Sequence, residues 1–129
     1  MTPYRFLPHT ADVAVELRAR SELGLYQAGL DALRELLVGA SPVTPAAERA
    51  IEPRGSDPTE RLIHFVAEAL YLWDTERFIP VKVTASGIAG ETLDPAKHQA
   101  QREVKAVTRH GADVRVAEDG YRTTIVFDV

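Results

Sequence analysis

Apolar and polar residues alternate from Val13 to Arg18, so Val13, Val15 and Leu17 share one face and Ala14, Glu16 and Arg18 the other. A period of two predicts a half-buried β-strand. Asp12 falls in phase with its polar face. The period then lengthens. Leu23, Tyr26, Leu30, Leu33 and Leu37 recur at three- and four-residue spacing, which predicts a helix from a cap at Ser21 to about Val38, stopped by Gly39. A second helix is marked more clearly at its start. Asp57 caps, Pro58 takes the first helical position, and Glu60 is placed to return the reciprocal bond of a capping box. Leu62, Phe65, Val66, Ala69, Leu70 and Trp73 form its buried stripe, and Pro80 is expected to close it.

The remaining segments read as strands and turns. A short strand is expected near Arg49 to Glu52 and another over Val81 to Ala85. Gly87 to Gln101 reads as a long loop with a short strand near Ile88, and Gly87-Ile88-Ala89-Gly90 within it as a turn. Three more strands follow, Val104 to His110, Val114 to Glu118 and Tyr121 to Val129, with Asp119-Gly120 as a hairpin turn between the last two. Two main helices among six or more strands, mostly hairpin-linked, predict an α+β layered single domain over 1–129 with mostly antiparallel sheet.

Composition narrows the chemistry. With no cysteine, disulfides, thiolate zinc sites and thiol catalysis are excluded, and the expectation is a cytoplasmic protein whose metal ligands are oxygen or imidazole. No stretch has the apolar length of a membrane span, and Met1 to Leu7 lacks the apolar core of a signal peptide. A net charge of −4 argues against a broad basic surface for nucleic acid, although a whole-chain sum says nothing of a local patch. There is no His-x-x-x-His spacing, no Gly-x-Ser-x-Gly, and no lysine after the glycines near Ile88 to make a phosphate loop.

Asp12 and Asp128 are far apart in the chain, but each sits opposite the apolar face of its strand. Alone, they read as solvated strand-end carboxylates. With the end of the chain at Val129 they would make an oxygen-rich site for a hard cation, calcium first, then magnesium or manganese. Lys105 is one of three lysines against twelve arginines. It reads either as a solvated strand lysine or as a point charge directed at carboxylates or phosphate. His9, three residues before Asp12, is a candidate supporting partner for that site. His98 and His110 flank the lysine strand and are candidates for a phosphate or partner surface.

Four stretches together resemble the archease family: His9-Thr10-Ala11-Asp12-Val13, the helix from Leu62 to Leu72 with Asp74-Thr75-Glu76, Lys97-His98 leading into Glu103 to His110, and Phe127-Asp128-Val129. Their order and spread cover nearly the whole chain. The resemblance implies a non-catalytic accessory protein of the RtcB-type RNA-splicing ligase, promoting guanylylation of the ligase with GTP and multiple-turnover tRNA ligation. It implies a metal cluster at Asp12, Asp128 and Val129, an essential basic residue at Lys105, protein contact with the ligase, and RNA contact only through it. The competing expectation is a small phosphoesterase or nuclease using the same carboxylates with a divalent ion.

Overall fold

Ser21 and Asp57 begin the two helices as the sequence predicts. In the computed structural model, which describes residues 3–7, 12–109 and 114–129, α1 spans Glu22–Val38 and α2 spans Pro58–Glu76. Ser21 Oγ accepts from the Gly24 N–H at 3.0 Å, and Gly39 takes a positive φ of 59° to end α1. Asp57 accepts from the Glu60 N–H at 2.8 Å. The Glu60 carboxylate, however, binds the N–H of Ser56 at 3.0 Å and its hydroxyl at 3.1 Å, so the reciprocal bond lands one residue before the cap. Pro80 does not close α2. Arg77 does, in the left-handed conformation (φ 55°, ψ 33°), returning its N–H to Leu72 and Trp73.

Among the described residues eight strands build two antiparallel sheets. The larger contains β1 (Tyr4–Leu7), β2 (Val13–Ala19), β8 (Gly120–Asp128) and β6 (Ala106–Arg109) in that order, with β7 (Arg115–Ala117) also paired to β8. Because β2 occupies one edge of β8, β6 and β7 lie along the other. The smaller sheet has the order β3 (Ala47–Ala50), β5 (Gly87–Thr92), β4 (Phe78–Val83). Each helix touches strands of both sheets: α1 meets β2 and β4, α2 meets β6 and β4. The apolar stripes of the helices close on Val15, Leu17, Ile125 and Phe127 from one sheet and Phe78, Ile79 and Ile88 from the other. The α+β layered architecture is as expected.

Several local expectations are corrected. The glycine-rich stretch after Ser86 is not a turn but the central strand of the small sheet. A Cβ on Gly87 would stand 2.1 Å from the Arg49 carbonyl oxygen, and one on Gly90 1.9 Å from that of Ile79, so at these two positions only glycine fits between β3 and β4. Pro80 sits inside β4, next to a register shift between Pro80 and Lys82. Strand β1 had no periodic signal. Leu23, placed on the buried stripe, is 63% exposed. The hairpin turn is Glu118-Asp119, with Gly120 at φ 125° paired to Ala117. His9 and His110 fall outside the described residues.

Candidate functional site

Strand β2 runs antiparallel to β8 with Val13 opposite Phe127 and Ala14 opposite Val126. One step beyond that register sets Asp12 opposite Asp128. On the other side of Asp128 stands Ala106, and the Lys105 N–H donates to the Asp128 carbonyl oxygen at 2.7 Å. Three segments remote in sequence thus meet at one end of the large sheet. Alternation along β2 and β8 places both aspartates on the face turned away from the helices. Asp12 is half-buried, Asp128 and Lys105 are exposed, and Val129 packs against the edge of the core.

Lys105 is not inside a strand. Val104 and Val107 are both buried, and three residues apart they cannot share a face under strict alternation. The parity therefore breaks ahead of Ala106, and β6 begins after the lysine. Among the described residues no side-chain hydrogen bond or ion pair engages Asp12, Asp128 or Lys105.

Directly opposed residues of paired strands have Cβ atoms about 4.5–5.5 Å apart, and Asp12 lies one residue outside β2, a single step beyond the paired register. Carboxylate oxygen donors suit calcium, magnesium or manganese. Among the described residues no three His, Asp or Glu side chains gather into a group that could hold a metal ion.

His98 lies elsewhere. Its side chain is fully buried; Nδ1 accepts from the Asp94 N–H at 2.9 Å, which leaves the proton on Nε2, facing Glu91 Oε2 at 3.3 Å. A ring so enclosed offers nothing to a phosphate or a partner, and its expected surface role gives way to a structural one. Glu91 also receives Lys97 Nζ at 2.7 Å, and the same ammonium reaches Thr44 Oγ1 at 2.8 Å. Sequence reasoning gave Glu91 no role because its strand was read as loop; the Lys97-His98 pair was the only visible signal.

Comparison with known proteins bears on the same elements. Residues 4–129 match the Archease protein family (MTH1598/TM1083). This chain belongs to the archease family. It is 31% identical to protein archease of Pyrococcus abyssi over 132 residues, 93% of each chain. It is 27% identical to that of Sulfurisphaera tokodaii over 139 residues, the full length of both. The archease fold is also found in two solved structures. One is Methanobacterium thermoautotrophicum protein 1598, with a TM-score of 0.79, 24% identity and full coverage of both chains. The other is a Thermotoga maritima archease described as a possible chaperone, with a TM-score of 0.67 and 21% identity, covering 95% of this chain and 94% of that one. Among the described residues, no helix of this archease-family chain is long and apolar enough to cross a membrane.

Proposed function

We propose that this chain is an accessory protein of a GTP-dependent RNA ligase of the RtcB type, promoting attachment of GMP to the ligase and repeated turnover in tRNA and RNA joining. The observation that carries the reading is the antiparallel register that brings Asp12 level with Asp128, with Lys105 tied beside them. Family membership supports an assisting role, and the Thermotoga relative's description as a possible chaperone agrees with it.

In this reading Asp12 and Asp128, with Val129 alongside, hold a divalent ion, calcium before magnesium or manganese. The bound ion offsets the repulsion between the two carboxylates and links the ends of β2 and β8. Lys105 contributes a compact positive charge on an exposed segment, free to meet a phosphate or a carboxylate of the partner. Asp12 and Asp128 set the shape of the surface presented to the ligase. The protein shifts the population of a ligase state and takes no part in bond making itself.

The test is a time course of GMP attachment to the matching ligase with GTP and a divalent ion. Addition of the wild-type protein accelerates it; Asp128→Asn and Lys105→Arg fold normally and lose most of the acceleration. A wild-type rate no faster than ligase alone refutes the reading. Turnover of a generic phosphoester without ligase would establish the hydrolase alternative.

A further inference from the structure

The outward face of the large sheet changes sign from one end to the other. Read in rows across β2 and β8, the acidic pair at Asp12 and Asp128 gives way to Ala14 and Val126, then Glu16 and Thr124, then Arg18 and Arg122. Arg115 of β7 stands directly across from Arg122 on its other side. Three arginines therefore lie in one continuous cross-strand row, Arg18-Arg122-Arg115. The row is about 20 Å from the acidic pair, at roughly 3.3 Å per residue. Arg20, one step past β2, and Arg5, opposite Glu16, flank it.

Like charges directly opposite each other in a sheet destabilise it. Little here relieves them. Among the described residues, Glu16 is the one acid in the arginine row or the row beside it on the way to the acidic pair; it takes Arg18 Nε at 3.1 Å and Arg5 Nη2 at 3.4 Å. Among the described residues Arg18 makes no other side-chain bond. Among the described residues Arg20, Arg115 and Arg122 have no ion-pair or hydrogen-bond partner, and all three are exposed. Glu118 and Asp119 sit at the hairpin tip, on the rim.

We propose that this face binds the phosphodiester backbone of a single-stranded nucleic acid across Arg18, Arg122 and Arg115. Neighbouring strands are about 4.8 Å apart, so the row offers guanidiniums at regular intervals to a chain crossing the strands. Each guanidinium is a planar fork that matches a phosphate by two parallel hydrogen bonds. The row contains no lysine, and Thr124 in the adjoining row adds a hydroxyl donor. An acidic protein segment fits less well. Protein interfaces centre on buried apolar anchors, and the row and its neighbours, Glu16 and Thr124, supply none. A backbone carrying one charge per residue needs no such anchor. Averaged over the whole chain, net charge conceals this patch.

The inference is independent of the ligase reading, and its test uses neither ligase nor metal. A short labelled oligouridylate is titrated with the protein in EDTA over a series of salt concentrations, and binding is followed by fluorescence anisotropy. Three phosphate contacts predict a log–log salt slope of about −2, at roughly 0.7 per single-strand contact. Arg115→Ser and Arg122→Ser each flatten it by about 0.7. Both variants melt at or above the wild-type temperature, because each removes a like-charge contact; loss of binding in a folded, equally stable variant cannot come from misfolding. An unchanged slope in the double variant overturns the proposal, as does polyglutamate binding through the same arginines in place of RNA.

Discussion

Arg61 of α2 grips Glu22 of α1 with two parallel hydrogen bonds, Nε to Oε2 at 2.8 Å and Nη2 to Oε1 at 2.9 Å. The Tyr26 hydroxyl donates to the same carboxylate, and the Tyr26 ring stacks on Phe65 with centroids 4.8 Å apart. A polar clasp thus sits directly on an aromatic contact between the two helices. The Arg61 guanidinium is the main cause that lowers the Glu22 pKa, with the Tyr26 bond adding to it.

A depressed carboxylate pKa contributes stability above the usual glutamate range and loses it as pH falls through the folded value. Glu22→Gln is therefore expected to melt below wild type at neutral pH, with the gap closing on acidification. Thermal melts across an acid series check this; a gap independent of pH excludes the charge as its source. Tyr26 runs the opposite way. Burial, followed by the Glu22 bond, pushes its pKa up to about 12, so its contribution is intact below about pH 10 and lost as pH rises towards 12.

Glu91 is pushed down to about 2, first by the Lys97 ammonium, then by the Thr44 N–H, with His98 a smaller contributor. Its contribution is full above about pH 4.5 and disappears as pH falls towards 2. Glu91→Gln is expected to lower the melting temperature at pH 7 and to approach wild type in strong acid. Equal melting at both extremes rules out an electrostatic role.

Gly90→Ala drives a Cβ into the Ile79 carbonyl across the middle of the small sheet. Because the obstacle is backbone, relief requires strand movement, and a loss of about 3 kcal/mol is expected from urea unfolding. Leu33→Ala, deleting a fully buried α1 side chain, should cost about 2–5 kcal/mol. A neutral Gly90→Ala would mean that β5 lies differently between its neighbours.

Calcium or manganese should raise the melting temperature of the purified protein. At a hundredfold excess over its dissociation constant the gain is about 2.7 kcal/mol. Asp12→Asn and Asp128→Asn should each remove most of it. A melting temperature indifferent to both ions argues against a shared cation at these aspartates.

Where the sequence carried a local signal, the elements followed it. Strand β2 alternates, and both helices have side-chain caps at their first turns. What failed was what neighbours decide. Strand β5 carries glycine at Gly87 and Gly90 because a neighbouring carbonyl oxygen stands where each Cβ would be, and its sequence resembles a turn for that reason. Pro80 tolerates a strand because it sits at a register shift. Arg77 ends a helix in a conformation that glycine usually takes, so no residue type announced it. The phase of Asp12 and Asp128 was legible, but their opposition depends on register between strands more than a hundred residues apart. Arg18, Arg115 and Arg122 are unremarkable in the chain; pairing alone makes them neighbours.

That same pairing has a consequence for biosynthesis. A polypeptide leaves the ribosome N-terminus first, so β2 emerges with its inner edge open and waits for β8 while most of the domain is translated. Contacts so distant in sequence form late and slowly. Until then the nascent protein exposes an unpaired hydrophobic strand, which makes this interval the one most in need of protection from aggregation.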